Sequence, residues 1–195
     1  MTRSQQPAIL MLILVILLIA AFIMVFYVLS YTPHSGAAGG PGENMVAYPP
    51  CLRSDAVDAL REAARRLNLR VAEVGLGDLA SRGSIVVVDA ERCPLKKAAD
   101  AVAEALLRGK VAVIVGTNRE ISRLFKSQQK VIMAYPLPVV NTTVVYVVQV
   151  VGYTVTQIMG RTVNMSKPQV FFAEGVTVGS FKKALGMALR WLHMG

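Results

Sequence analysis

The stretch IVVVDAERCPLKKAADAVAEALLRGKVAVIVGTN, residues 85 to 118, decides the fold. Ile85 to Val88 is a β-branched run with apolar residues at successive positions, the pattern of a strand covered on both faces, as in a parallel sheet. Pro94 suits the first turn of a helix, because its missing N–H would have no partner there, and Leu95, Ala98, Ala99, Val102, Leu106 and Leu107 share that helix's inner side. Gly109 fits the left-handed residue that ends a helix, and Val111 to Val115 is a second buried strand. Strand, helix and strand with short connections predict a right-handed βαβ unit.

Working outward, Ser54 is placed to cap a helix reaching about Asn68, with Asp55 and Asp58 near its positive end and Val57, Leu60, Ala64 and Leu67 on one face. Leu69 to Val74 reads as a short strand, separated from the βαβ unit by Gly75, Gly77 and a turn at Ser81-Arg82-Gly83. On the other side, Asn118 to Phe125 reads as a short helix and Val131 to Ala134 as a strand. Residues 139 to 158 are dense in Val, Thr and Tyr with Gly152 among them, which predicts one or two antiparallel strands. Val144 to Val151 could alternatively be an exposed sheet edge used by a partner. A strand from Gln169 to Phe172 and a helix from a Ser180 cap to about His193 close the domain. The expected fold class is α/β: a three-layer sandwich over residues 53–195, with a mainly parallel sheet and an antiparallel extension.

The N-terminal part has a different character. From Ala8 to Leu29 every residue is apolar, and at about 1.5 Å per residue the stretch reaches about 33 Å, enough for a hydrocarbon core of roughly 30 Å. Residues 1–31 therefore read as a signal anchor and transmembrane helix, with cleavage beside the small residues Gly36, Ala37 and Ala38 as the alternative. Residues 32–52 are rich in Gly and Pro and read as a tether, in which His34 is a solvated linker residue. Arg3 precedes the apolar stretch and no Lys or Arg follows it until Arg53, so the positive-inside rule puts the N-terminus in the cytoplasm and the domain outside a single-pass cell membrane protein. Tyr27 and Tyr31 would sit at the outer interface. Asn141-Thr142-Thr143 and Asn164-Met165-Ser166 are glycosylation acceptors, usable only outside the cytoplasm. The chain has two cysteines, Cys51 and Cys93, which either pair in an oxidising compartment or remain buried thiols.

The formal charge of +9 makes the folded part basic, but its Lys and Arg residues are scattered and no aromatic-interleaved basic stripe appears, so nucleic acid is not an expected partner. The expected partners are the lipid bilayer and other envelope or membrane proteins. In an open parallel sheet, ligands bind beyond the carboxyl ends of the strands, which singles out Asp89 and Glu91 after one strand and Gly116, Thr117 and Asn118 after the next. Helix N–H groups near Asn118 suit an anion, although Thr117 or Asn118 serves equally as a simple cap. Cys93 before Pro94 lies where a helix dipole lowers a thiol pKa, yet the only histidine of the domain, His193, is at its extreme end. No metal-ligand spacing and no Gly-rich phosphate motif is present, so neither a metal nor a cofactor is expected, and no catalytic residue is assigned.

Residues 56 to 125, through IVVVDAERCPL, the helix ending in Arg108-Gly109-Lys110, and VAVIVGTN, resemble membrane-tethered, flavodoxin- or Rossmann-like members of the glutamine-amidotransferase-like group that lack catalytic residues. The resemblance covers about a third of the chain. Active relatives carry a cysteine on a G-x-C-x-G elbow, whereas this chain has Asp89-Ala90-Glu91-Arg92-Cys93-Pro94, so the resemblance implies the scaffold without the chemistry. The resulting expectation is a non-enzymatic envelope binding module or accessory subunit of a membrane complex. The alternatives are an anchored hydrolase or amidotransferase-like enzyme using Cys93 or Asp89, and a pilin-like filament subunit.

Overall fold

A computed structural model of the chain describes residues 44–128, 132–133, 137, 139–150, 154–158, 161–166 and 168–194. The apolar stretch from Ala8 to Leu29, Tyr27, Tyr31, His34 and the first part of the tether lie outside the described residues. Among the described residues, no helix is long and apolar enough to cross a membrane.

The elements follow in the order β1 (Met45–Tyr48), α1 (Ser54–Arg66), β2 (Arg70–Glu73), a 3-10 turn (Leu76–Asp78), α2 (Leu79–Arg82), β3 (Ile85–Asp89), α3 (Leu95–Leu107) and β4 (Val111–Gly116). Then come α4 (Asn118–Ser127), β5 (Ile132–Met133), β6 (Val144–Val150), β7 (Thr154–Ile158), β8 (Arg161–Ser166), β9 (Pro168–Glu174) and α5 (Val178–Met194). The main sheet is six-stranded in the order β2-β1-β3-β4-β6-β9. Its first four strands are mutually parallel, and β6 runs antiparallel to both β4 and β9. A second, three-stranded sheet has the order β5-β8-β7. The expected mixture of parallel centre and antiparallel extension is present.

Alternation along the strands sends side chains to two cores. Val86, Val88, Ala112, Ile114, Tyr146 and Val148 pack with α3 and α4 on one face. Ile85, Val87, Val113, Val115, Val145 and Val147 pack with α1 and α5 on the other. Because both faces are covered, the sequence shows unbroken apolar runs rather than alternation.

Three expectations need correction. Residues 32–52 are not tether throughout: Met45–Tyr48 is an interior strand, paired with β2 on one side and β3 on the other, with Val46, Ala47 and Tyr48 buried. Four apolar residues between a Gly-rich segment and Pro49-Pro50 are hidden by the average composition of their neighbours. Val144 to Val150 is not an exposed edge, since β6 lies between β4 and β9 and all seven of its residues are buried. The helix caps also differ. Ser180 lies inside α5, where its N–H donates to Thr177 Oγ1 at 3.2 Å and its Oγ accepts from the Thr177 N–H at 2.8 Å, a reciprocal capping pair. At the start of α1 no side-chain cap bond forms; the Asp55 carboxylate accepts from the Ala56 N–H at 2.9 Å.

The turn expected at Ser81-Arg82-Gly83 is the end of the short helix α2, and Gly83 is there for lack of space. A Cβ at this position would stand 2.7 Å from both Ala47 Cβ and the Ile85 carbonyl oxygen. Gly83→Ala should therefore push β1 and β3 apart and cost about 1–3 kcal/mol, the range for overpacking. Urea unfolding of this variant beside Gly77→Ala, where an added Cβ meets nothing within 4 Å, separates crowding from backbone effects.

Candidate functional site

The chain passes from β1 to β2 on one side of the sheet and from β3 to β4 on the other, so the strand order reverses between β1 and β3. In open α/β sheets this switch point opens a crevice beyond the carboxyl ends of the two strands, where ligands bind. Here the crevice is bounded by residues 49–53 after β1 and residues 90–94 after β3.

The chain fills it with its own side chains. Cys51 and Cys93 form a disulfide across it, with their Cα atoms 5.1 Å apart. Beside the bridge, Arg53 Nε donates to Asp89 Oδ2 at 2.6 Å and its Nη2 donates to Asp89 Oδ1 at 3.2 Å, a two-pronged contact. The same Nη2 also donates to Glu91 Oε2 at 2.9 Å. Asp89 has no exposed surface, and its Oδ1 additionally accepts from the N–H groups of Glu91, at 2.9 Å, and Arg92, at 3.0 Å. The carboxylate thus folds the loop after β3 around itself. The Asp89 carboxylate pushes the Arg53 guanidinium pKa further up, against partial burial, and Glu91 adds to the same effect.

Asp89 and Glu91, expected at a ligand site, are brought together as partners of Arg53, which the sequence reading did not single out for this site. The signal for Arg53 was its position just after Cys51, legible only once Met45–Tyr48 is known to be a strand. Gly116, Thr117 and Asn118 follow β4, the neighbouring strand, at the end of the sheet that also carries that cluster. Gly116 is explained by packing, because a Cβ there would lie 3.2 Å from Ala90 Cβ. Thr117 occupies the cap position of α4 without a side-chain cap bond, and Asn118 opens the helix.

A shallow depression of about 140 Å³ lies between the loop after β3 and helix α4, lined by Ala90, Glu91, Cys93, Leu95, Glu120 and Arg123. It is small beside the roughly 300–1,000 Å³ of ordinary ligand pockets. Glu120 Oε2 is buried there without a hydrogen-bond partner. Glu120 and Arg123 fall one turn apart on α4, a placement no motif announced.

Cys93 cannot act as a nucleophile while bridged, and it belongs to the core under α3. His193 is exposed at the end of α5, which packs on the opposite face of the sheet. Among the described residues no cysteine–histidine pair is assembled. Among the described residues no group of three His, Cys, Asp or Glu side chains comes together in the manner of a metal site. Asn141 is exposed just before β6, while Asn164 lies in β8, the middle strand of the small sheet, and its side chain is outside the described residues. Compared with known proteins, the chain matches no family model, no curated sequence and no solved structure.

Proposed function

We propose that this chain is a membrane-anchored envelope protein whose outer α/β domain is a binding or accessory module of a membrane complex and has no catalytic centre of its own. The observation that carries this reading is the closed switch-point crevice: the position where this architecture assembles reactive groups is occupied by the Cys51–Cys93 bridge and the Arg53–Asp89 pair. Both groups proposed for an enzyme, Cys93 and Asp89, are thereby engaged in holding loops. The disulfide favours an oxidising compartment, in agreement with the outward orientation that the Arg3 bias predicts for a segment spanning Ala8 to Leu29. An exposed Asn141 is accessible for the modification its triplet invites.

Two measurements test the proposal together. Protease added to intact cells should digest the domain, and full protection would reverse the orientation. Purification from detergent extract should bring down other membrane chains with the wild type and equally with His193→Ala, whose exposed position should keep its stability within about 0.5 kcal/mol of wild type. A folded His193→Ala protein that loses a measured hydrolytic or transfer activity would restore the enzyme reading.

A further inference from the structure

The N-terminal chain enters the domain at the start of β1, and the amino ends of the parallel strands gather there. Met45 is in register with Arg70 at the start of β2, and its N–H and carbonyl bond Ser84, just before β3, at 3.1 and 3.0 Å. The Val111 N–H donates to the Ser84 carbonyl at 3.3 Å, placing the start of β4 beside them. Helices α1 and α3 end on this side, with the Leu69 N–H returning to Ala64 O and the Lys110 N–H to Ala105 O. Helix α5 ends here too, because β9 runs parallel to β4 and the helix returns against it.

That topology collects positive charge. The last turn of α1 brings Arg65 and Arg66, β2 begins with Arg70, α2 ends with Arg82, and Arg190 lies near the end of α5; all five are exposed. Arg108 and Lys110 stand before β4, and the Lys110 ammonium is held below the ordinary lysine pKa, first by partial burial and then by Arg108. Among the described residues, the carboxylates at this end, Glu62 and Glu104, are already paired with Arg65, Arg66 and Arg108, and the sequence adds Glu43 two residues before β1. Between Val150, where β6 leaves this end, and Pro168, where β9 enters it, the sequence holds Arg161 and Lys167 and no Asp or Glu. The opposite end carries Asp55, Glu73, Asp89, Glu91, Glu120 and Glu174 among its cations.

We infer that the tether end of the domain is a docking face for anionic phospholipid headgroups of the membrane that the N-terminal segment enters. The inference rests on the anchored reading above. Residues 30 to 44 separate the apolar stretch from β1, and a chain of that length reaches at most about 50 Å, so the domain cannot leave the neighbourhood of the bilayer it is anchored to. Attraction of Lys and Arg to an anionic surface acts within a Debye length of about 8 Å, a range the basic end can enter because it is the end the tether joins. Each cation near such a surface strengthens docking about fivefold. The domain then sits with its switch-point end, Glu91 and Arg123 included, directed away from the membrane.

The test uses the full chain in nanodiscs, with a fluorophore on His193→Cys at the basic end or on Lys96→Cys at the other end, both exposed positions. A quencher is placed on the lipid headgroups. In discs containing phosphatidylglycerol the label at 193 should be quenched and the label at 96 spared; the contrast should vanish in phosphatidylcholine alone and at about 1 M salt, where the Debye length is about 3 Å. Arg65→Gln, Arg82→Gln and Arg190→Gln combined should reduce the docked-to-free ratio on the order of a hundredfold. Equal quenching at both labels, or quenching indifferent to lipid charge, in chains that co-elute with the discs would overturn the docking face alone. A chain that does not enter the discs would overturn the anchor and the docking with it.

Discussion

Replacing Cys51 and Cys93 together by serine should lower the unfolding free energy by about 4 kcal/mol, the chain-entropy value for the 42-residue separation the bridge closes. For a domain of this size the melting temperature should drop by roughly 8–16 °C. The mechanism lies in the unfolded chain, which the bridge keeps from expanding, so the variant should also unfold with a steeper dependence on urea. Wild-type protein in strong reductant should reproduce the variant. The effect should not be additive with changes at Arg53 or Asp89, because the bridge joins the same two loops that this ion pair joins. Two thiols titrating in unreduced, unfolded wild-type protein would show that the bridge is absent, and a loss below about 1 kcal/mol would show that it contributes little.

The parts of the fold legible in the sequence were those where one physical signal dominates. Residues 85 to 118 combine β-branched runs, a proline-started helix and Gly109, whose φ of +71° only glycine adopts cheaply, and each signal agrees with the next. Strand β1 failed because four residues carry too little periodicity to stand out from Gly and Pro on both sides, and only pairing with β2 and β3 makes them a strand. The run Val144–Val150 was legible as a strand but not as an interior one: an apolar run fits burial on both faces as well as a partner-binding edge, and only the long-range pairing with β9 decides. The site divided in the same way. Asp89 and Glu91 follow from the rule about strand ends, and the Cys51–Cys93 pair from a count of two. Arg53 does not, since a charge whose partner lies 36 residues away has no local signature.

Asp89 is where the stability and the closed crevice meet, and Asp89→Asn should cost about 3–5 kcal/mol, the range for breaking a buried ion pair by removing one partner. The variant keeps the side-chain volume, and its amide oxygen can still accept from the Glu91 or Arg92 N–H, but its amide nitrogen meets the Arg53 guanidinium donor to donor. Glu91→Gln is the control on the same arginine: that carboxylate is 52% exposed, so its loss should stay within about 1 kcal/mol. Arg53→Met with Asp89→Leu removes both charges at once. If the pair alone mattered, this double change would recover most of the loss. It should recover only part, because the N–H groups of Glu91 and Arg92 would then lack their acceptor, at about 1–3 kcal/mol for each group left buried. Urea unfolding of the four proteins measures all of this. An Asp89→Asn protein as stable as wild type, but unable to bring down the partner chains, would make Asp89 a recognition residue instead of the anchor of its loop.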